Sequence, residues 1–151
     1  MDASRLVKWI AIIVVAILAW KYAMPWAKQQ MRGSATPSSS TQSSCTGAAQ
    51  HASETWGSGL HRFANPPYDL AAWSGFRGDV ETQIASAEAE CRCSQQSCET
   101  ARTAMSELRS LVSEFDTSIR NGSPPPDGAV QRQEAIDMKI DAAAELVRAG
   151  K

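Results

Sequence analysis

The sequence predicts an all-α protein: one N-terminal transmembrane helix, a flexible linker, and a small disulfide-stapled antiparallel bundle of three to four helices. Three observations carry this. An uninterrupted apolar run lies near the N-terminus, apolar residues recur at steps of three and four from Cys45 onward, and no stretch alternates apolar with polar residues as a half-buried strand would. With 151 residues, 43% apolar and 21% charged, the chain suits one small folded domain with an appendage and is neither collagen-like nor wholly disordered.

The apolar run is residues 9–20, twelve positions without a polar side chain. Crossing a bilayer takes roughly 20 helical residues, which a span of about 6–24 supplies. Lys8 and Lys21 sit near its ends, where their stems can lie along the helix and their ammonium groups reach the headgroups. Trp9, Trp20, Tyr22 and Trp26 mark two membrane interfaces. A buried core helix of a small domain would show a polar stripe, and this run has none. A cleavable signal peptide needs small residues soon after the run, whereas Lys21-Tyr-Ala-Met-Pro-Trp26 follows it. The expectation is an uncleaved signal anchor within residues 1–32, with the bilayer as its partner.

Residues 33–44 hold no charge, no aromatic and no large aliphatic side chain, so they read as a Ser/Thr-rich linker reaching roughly 20 Å. Residues 45–151 then form the helical domain. Its first piece, 46–63, carries Ala49, Ala52, Trp56, Leu60 and Phe63 on one face, with Gly57 and Gly59 expected to break or fray it. Asn65-Pro-Pro67 ends it. The second, 69–91, places Leu70, Trp73, Val80, Ile84, Ala87 and Cys91 on a stripe. The third, 97–119, has the cleanest register: Cys98, Ala101, Met105, Leu108, Val112, Phe115 and Ile119, an a/d seam that could also pair with a second copy as a homodimer. Asn121-Gly122 offers a left-handed cap, and the last piece, 129–149, repeats the pattern with Val130, Gln133, Ile136, Ile140, Ala143 and Val147.

Four cysteines, Cys45, Cys91, Cys93 and Cys98, fall at helix ends that an up-down bundle gathers at one pole. Two disulfides outside the cytosol, a four-thiolate metal site, or free core thiols would each use that gathering. The spacings Cys-x-Cys and Cys-x4-Cys match a zinc pattern only in part. Disulfides are the expected chemistry, with Cys91 bonded to Cys98 across the helix reversal and Cys93 reaching Cys45. Flanking positive charges are nearly balanced: Arg5 and Lys8 on one side, Lys21, Lys28 and Arg32 on the other. Oxidised cysteines therefore set the orientation, with the N-terminus cytosolic and the domain in the periplasm or extracellular space.

No residue is nominated as catalytic, and no metal or cofactor is expected. His51 and His61 stand ten apart among glycines without convergent ligands, and no nucleophile elbow, phosphate loop or His-Glu-x-x-His occurs. A net charge of −1, split as +4 over residues 1–32 and −5 over the rest, argues against nucleic acid as a partner. Glu134, Asp137, Asp141 and Glu145 form an acidic stripe on the last helix, for which a solvated face is the ordinary use. Trp56, Trp73 and Phe76 are candidates for partner docking, with core packing the competing use. The chain is thus expected to be a non-enzymatic membrane-anchored accessory or scaffold protein whose extracytoplasmic bundle docks a partner protein or complex. The alternative is a thiol redox or metal-handling module built on the cysteine pole.

Overall fold

The computed structural model describes residues 37–150. The expected span 6–24 and its interface residues Trp9, Trp20, Tyr22 and Trp26 lie outside them. The described residues form four α-helices and no strand: α1 (Pro37–Leu60), α2 (Leu70–Glu90), α3 (Gln96–Arg120) and α4 (Ala129–Arg148), with a 3-10 turn at His61–Phe63 continuing α1. None of these helices is long and apolar enough to cross a membrane.

Cross-helix contacts fix the course of the chain. Trp56, late in α1, meets Trp73 and Phe76, early in α2. Trp73 in turn meets Asp116 near the end of α3, and Arg132 at the start of α4 pairs with Glu114 in late α3. Successive helices therefore run antiparallel. Each packs on its sequence neighbours, α4 closes back onto α1, and α1 also touches α3 across the bundle.

The last contact explains the burial along α3. All seven seam residues are buried, as the periodicity predicts, but so are Ser97, Ala104 and Leu111, one heptad apart on the adjoining stripe. An a/d face would serve one or two neighbours, whereas this wider face serves α1, α2 and α4. The seam is used up within the chain and is not a surface left for a second copy.

Helix ends follow local chemistry. Asp69 caps α2, its Oδ1 accepting from the amides of Ala71 and Ala72 at 3.0 Å each. At the end of α3, Gly122 takes φ 64°. Its amide donates to Ile119 O and that of Ser123 to Ser118 O, satisfying the last carbonyls in a Schellman arrangement.

Three features depart from the sequence expectation. First, α1 begins at Pro37, so residues 37–44 of the expected linker are helical. Their composition lacks large apolar groups, yet buried Gln42 precedes Cys45, Ala49, Ala52 and Trp56 at helical steps, so the packed face extends back through small polar residues. Second, Leu70 is 53% exposed and Val130 66% exposed. Both sit in the first turn of their helices, at bundle ends, and α4 buries Ala129 in place of Val130. Third, Gly57 and Gly59 do not interrupt α1.

Gly59 has a packing reason to be glycine. A Cβ there would lie 2.1 Å from Cε2 of Phe76, whereas a Cβ at Gly57 would meet nothing within 4 Å. Gly57→Ala is therefore expected to stabilise the domain by up to about 1 kcal/mol, through helix propensity. Gly59→Ala is expected to destabilise it by about 1–3 kcal/mol, because the Phe76 ring is buried and must be displaced. Urea unfolding followed by far-UV circular dichroism checks the pair, and equal effects would mean that the α1–α2 approach is misplaced.

Candidate functional site

The cysteines do gather at one pole. Cys45 lies on the buried face of α1, Cys91 is the C-cap residue of α2, Cys93 is in the connecting turn, and Cys98 is in the first turn of α3. The bonds are Cys45–Cys91, with Cα atoms 4.6 Å apart, and Cys93–Cys98, with Cα atoms 5.8 Å apart. This corrects the expected pairing of Cys91 with Cys98 and Cys93 with Cys45. That expectation treated Cys45 as the start of α1. With α1 beginning at Pro37, Cys45 is a mid-helix residue facing the end of α2, and Ser44 Oγ donates to Glu90 Oε2 at 2.9 Å beside it. Cys93, beyond α2, is left to close the short turn onto Cys98. All four sulfurs are bonded, and among the described residues no group of His, Cys, Asp or Glu side chains is placed to hold a metal ion.

The proposed docking aromatics are core. Trp56, Trp73 and Phe76 are buried, with Phe63 and Phe115 completing the cluster. The Trp56 ring lies 5.0 Å from Phe115 edge-on, 5.8 Å from Phe76 stacked and 6.3 Å from Trp73 edge-on. The competing use, core packing, is the one the structure shows: the Phe76 ring lies against α1 at Gly59, and Arg62 covers the outer side, 5.3 Å from the Phe76 centroid.

Trp73 anchors a polar network at the edge of this cluster. Its indole N–H donates to Asp116 Oδ1 at 2.9 Å, and Arg77 and Arg120 hold the same carboxylate at 2.9 Å each. Partial burial pushes the Asp116 carboxyl up, but the Trp73, Arg120 and Arg77 contacts outweigh it and hold the group below the ordinary Asp value. A depressed folded-state pKa contributes stability that is present above the unfolded value of about 4 and lost as pH falls below it. Asp116→Ala is therefore expected to destabilise by about 1–3 kcal/mol at pH 7, since it leaves the buried indole donor unpaired. The gap from wild type should narrow in unfolding titrations near pH 3.

Among the described residues, a surface cleft of about 470 Å³ lies between α1 and α4. Ser53, Glu54, Gln133, Asp137, Ile140 and Asp141 are among its walls. Ser53 Oγ donates to Asp137 Oδ1 at 2.5 Å, while Gln133 Nε2 donates to both Ser53 Oγ (2.6 Å) and Asp137 Oδ1 (3.0 Å). The acidic stripe read from the sequence thus divides. Asp137 and Asp141 line the cleft, Glu134 is exposed, and Glu145 pairs with Arg148. Ser53 and Glu54 were not legible as members, because Ser53 meets its α4 partners across 80 and 84 residues of sequence. Ser53, Gln133 and the carboxylates of Glu54, Asp137 and Asp141 give the cleft hydrogen-bonding groups and negative charge. His51 and His61 are both exposed.

No protein-family model matches the chain, and neither a curated protein nor a solved structure matches it. The functional argument therefore rests on the residues themselves.

Proposed function

We propose that the protein is a single-pass, membrane-anchored accessory or scaffold protein whose disulfide-stapled helical domain stands on the non-cytosolic side and docks a partner protein there. The observation that carries this reading is the pair of disulfides in a small domain that follows a twelve-residue apolar run whose flanks extend it to spanning length. Disulfides persist where the compartment is oxidising, and residues 6–24 supply the anchor that would hold the domain at that face. The α1–α4 cleft is the candidate contact. Among the described residues Glu54 and Asp141 enter no ion pair, so the cleft brings two uncompensated carboxylates from facing helices together. A basic segment of the partner would complement them.

The membrane part is tested by alkaline carbonate washing. The full chain is expected in the pellet with its N-terminus intact, and recovery in the supernatant would overturn the anchor. The docking part is tested by co-purification from detergent-solubilised membranes. A stoichiometric partner should be lost with Glu54→Gln/Asp141→Asn and retained with Glu99→Gln, a surface acid on α3. Retention with both variants would move the contact elsewhere on the domain.

A further inference from the structure

We propose that Cys93 is a site of thiol–disulfide exchange, at which an external dithiol opens the Cys93–Cys98 bond while Cys45–Cys91 stays closed. The four cysteines differ sharply in access. Cys45, Cys91 and Cys98 are fully buried, whereas Cys93, in the turn between α2 and α3, keeps part of its surface in solvent. Exchange requires a thiolate to approach one sulfur of the bond and expel the other, so access selects both the bond and the sulfur attacked. Cys93 is the electrophile and Cys98 the leaving group.

The position of Cys98 favours its departure. It is the third residue of α3, a helix of 25 residues, where backbone N–H groups lack intrahelical acceptors and the helix dipole favours negative charge. Asp69 fills that need for α2, but Gln95, the N-cap residue of α3, makes no side-chain cap bond. The preceding Ser97 hydroxyl is fully buried and has no hydrogen-bond partner. No capping side chain therefore competes for the first-turn amides of α3, and negative charge on a departing Cys98 sulfur is favoured there.

The chemistry balances with a dithiol as reductant. One of its thiolates attacks Cys93 Sγ, the Cys93–Cys98 bond breaks, and the electron pair leaves on Cys98 Sγ. The second thiol of the reagent, as thiolate, then attacks its own sulfur in the mixed disulfide and closes the reagent's ring. That electron pair leaves on Cys93 Sγ. Both protein thiolates take up protons, so two electrons and two protons pass from the dithiol to the protein. The opened bond spans only five residues of sequence, and Cys45–Cys91 continues to hold α1 to α2. This reactivity follows from pairing, burial and the place of Cys98 in α3, whatever the domain docks.

The test uses the full chain in detergent micelles, treated with graded dithiothreitol, quenched with iodoacetamide and mapped by peptide mass. Cys93 and Cys98 are expected to be alkylated at dithiol concentrations at least about tenfold below those needed for Cys45 and Cys91, with the far-UV circular dichroism unchanged. In a parallel reaction with the monothiol glutathione, the mixed disulfide should form on Cys93. Opening of both bonds together, earlier opening of Cys45–Cys91, or glutathione on Cys98 would each overturn the proposal. A non-reduced map joining Cys93 to any cysteine but Cys98 would do so as well.

Discussion

Trp56→Ala is expected to destabilise the helical domain by about 3–5 kcal/mol, the range for truncating a fully buried large aromatic. Trp56 is wholly buried and stands where three helices meet, touching Trp73 and Phe76 of α2 and Phe115 of α3. Neighbouring rings can refill only part of the space. Its fellow members are already committed, Trp73 to Asp116 and Phe76 to its place against Gly59. Since small domains are stable by about 5–15 kcal/mol, a loss of this size removes a large share of the total. Glu107→Ala is the control. It breaks the pair with Lys139, but both side chains are about 40% exposed, so its effect should stay within about 1 kcal/mol. Urea unfolding of the full chain in detergent, followed at far-UV wavelengths, compares the two. A Trp56→Ala loss no greater than that of Glu107→Ala would mean that the aromatic cluster is not the centre of the fold.

The fold was legible where local signals were redundant. In α3, seven seam positions, a left-handed glycine and a proline-rich loop all agree, and the helix ends within one residue of the expected bounds. Asp69 marks the start of α2 by its own side chain. The start of α1 was not legible, because Ser, Thr and Gln compete with the backbone for hydrogen bonds and read as linker composition. What makes them helical is their attachment to a helix packed against α2, which local propensity does not record. The same omission misdirected the disulfides: once α1 is extended, its ninth residue is Cys45, and the partner it meets is the end of α2.

The candidate cleft was half legible for a related reason. Asp137 and Asp141 share a helical face and can be read from spacing alone. That Ser53 and Glu54 stand opposite them depends on α4 closing back onto α1, a pairing between the first and last described helices. For Trp56, Trp73 and Phe76 the sequence left two uses open. Partner docking and core packing both fit their sequence surroundings, and the contact of Phe76 with α1 at Gly59 belongs to the packing use.

Removing the Cys45–Cys91 bond is expected to cost about 4 kcal/mol, against about 2 kcal/mol for Cys93–Cys98, if cross-links act chiefly by restricting the unfolded chain. The two bonds differ in the length of chain they close, 46 residues against five. They differ also in what they join: the first ties α1 to the end of α2, while the second tightens a turn between helices that are already consecutive. Alanine is the replacement of choice at Cys45 and Cys91, both fully buried, since serine would bury a hydroxyl without a partner. Cys45→Ala/Cys91→Ala should lower the thermal midpoint more than Cys93→Ala/Cys98→Ala, and it should loosen α1 first. Hydrogen exchange of the α1 amides reads the second effect directly, because protection there should fall further than in α3, whose face is shared among three neighbours. An equal loss of protection in α1 and α3 would show that the domain opens only as a whole. A larger effect from the Cys93–Cys98 pair would show that the turn, and not the tie between α1 and α2, holds the bundle closed.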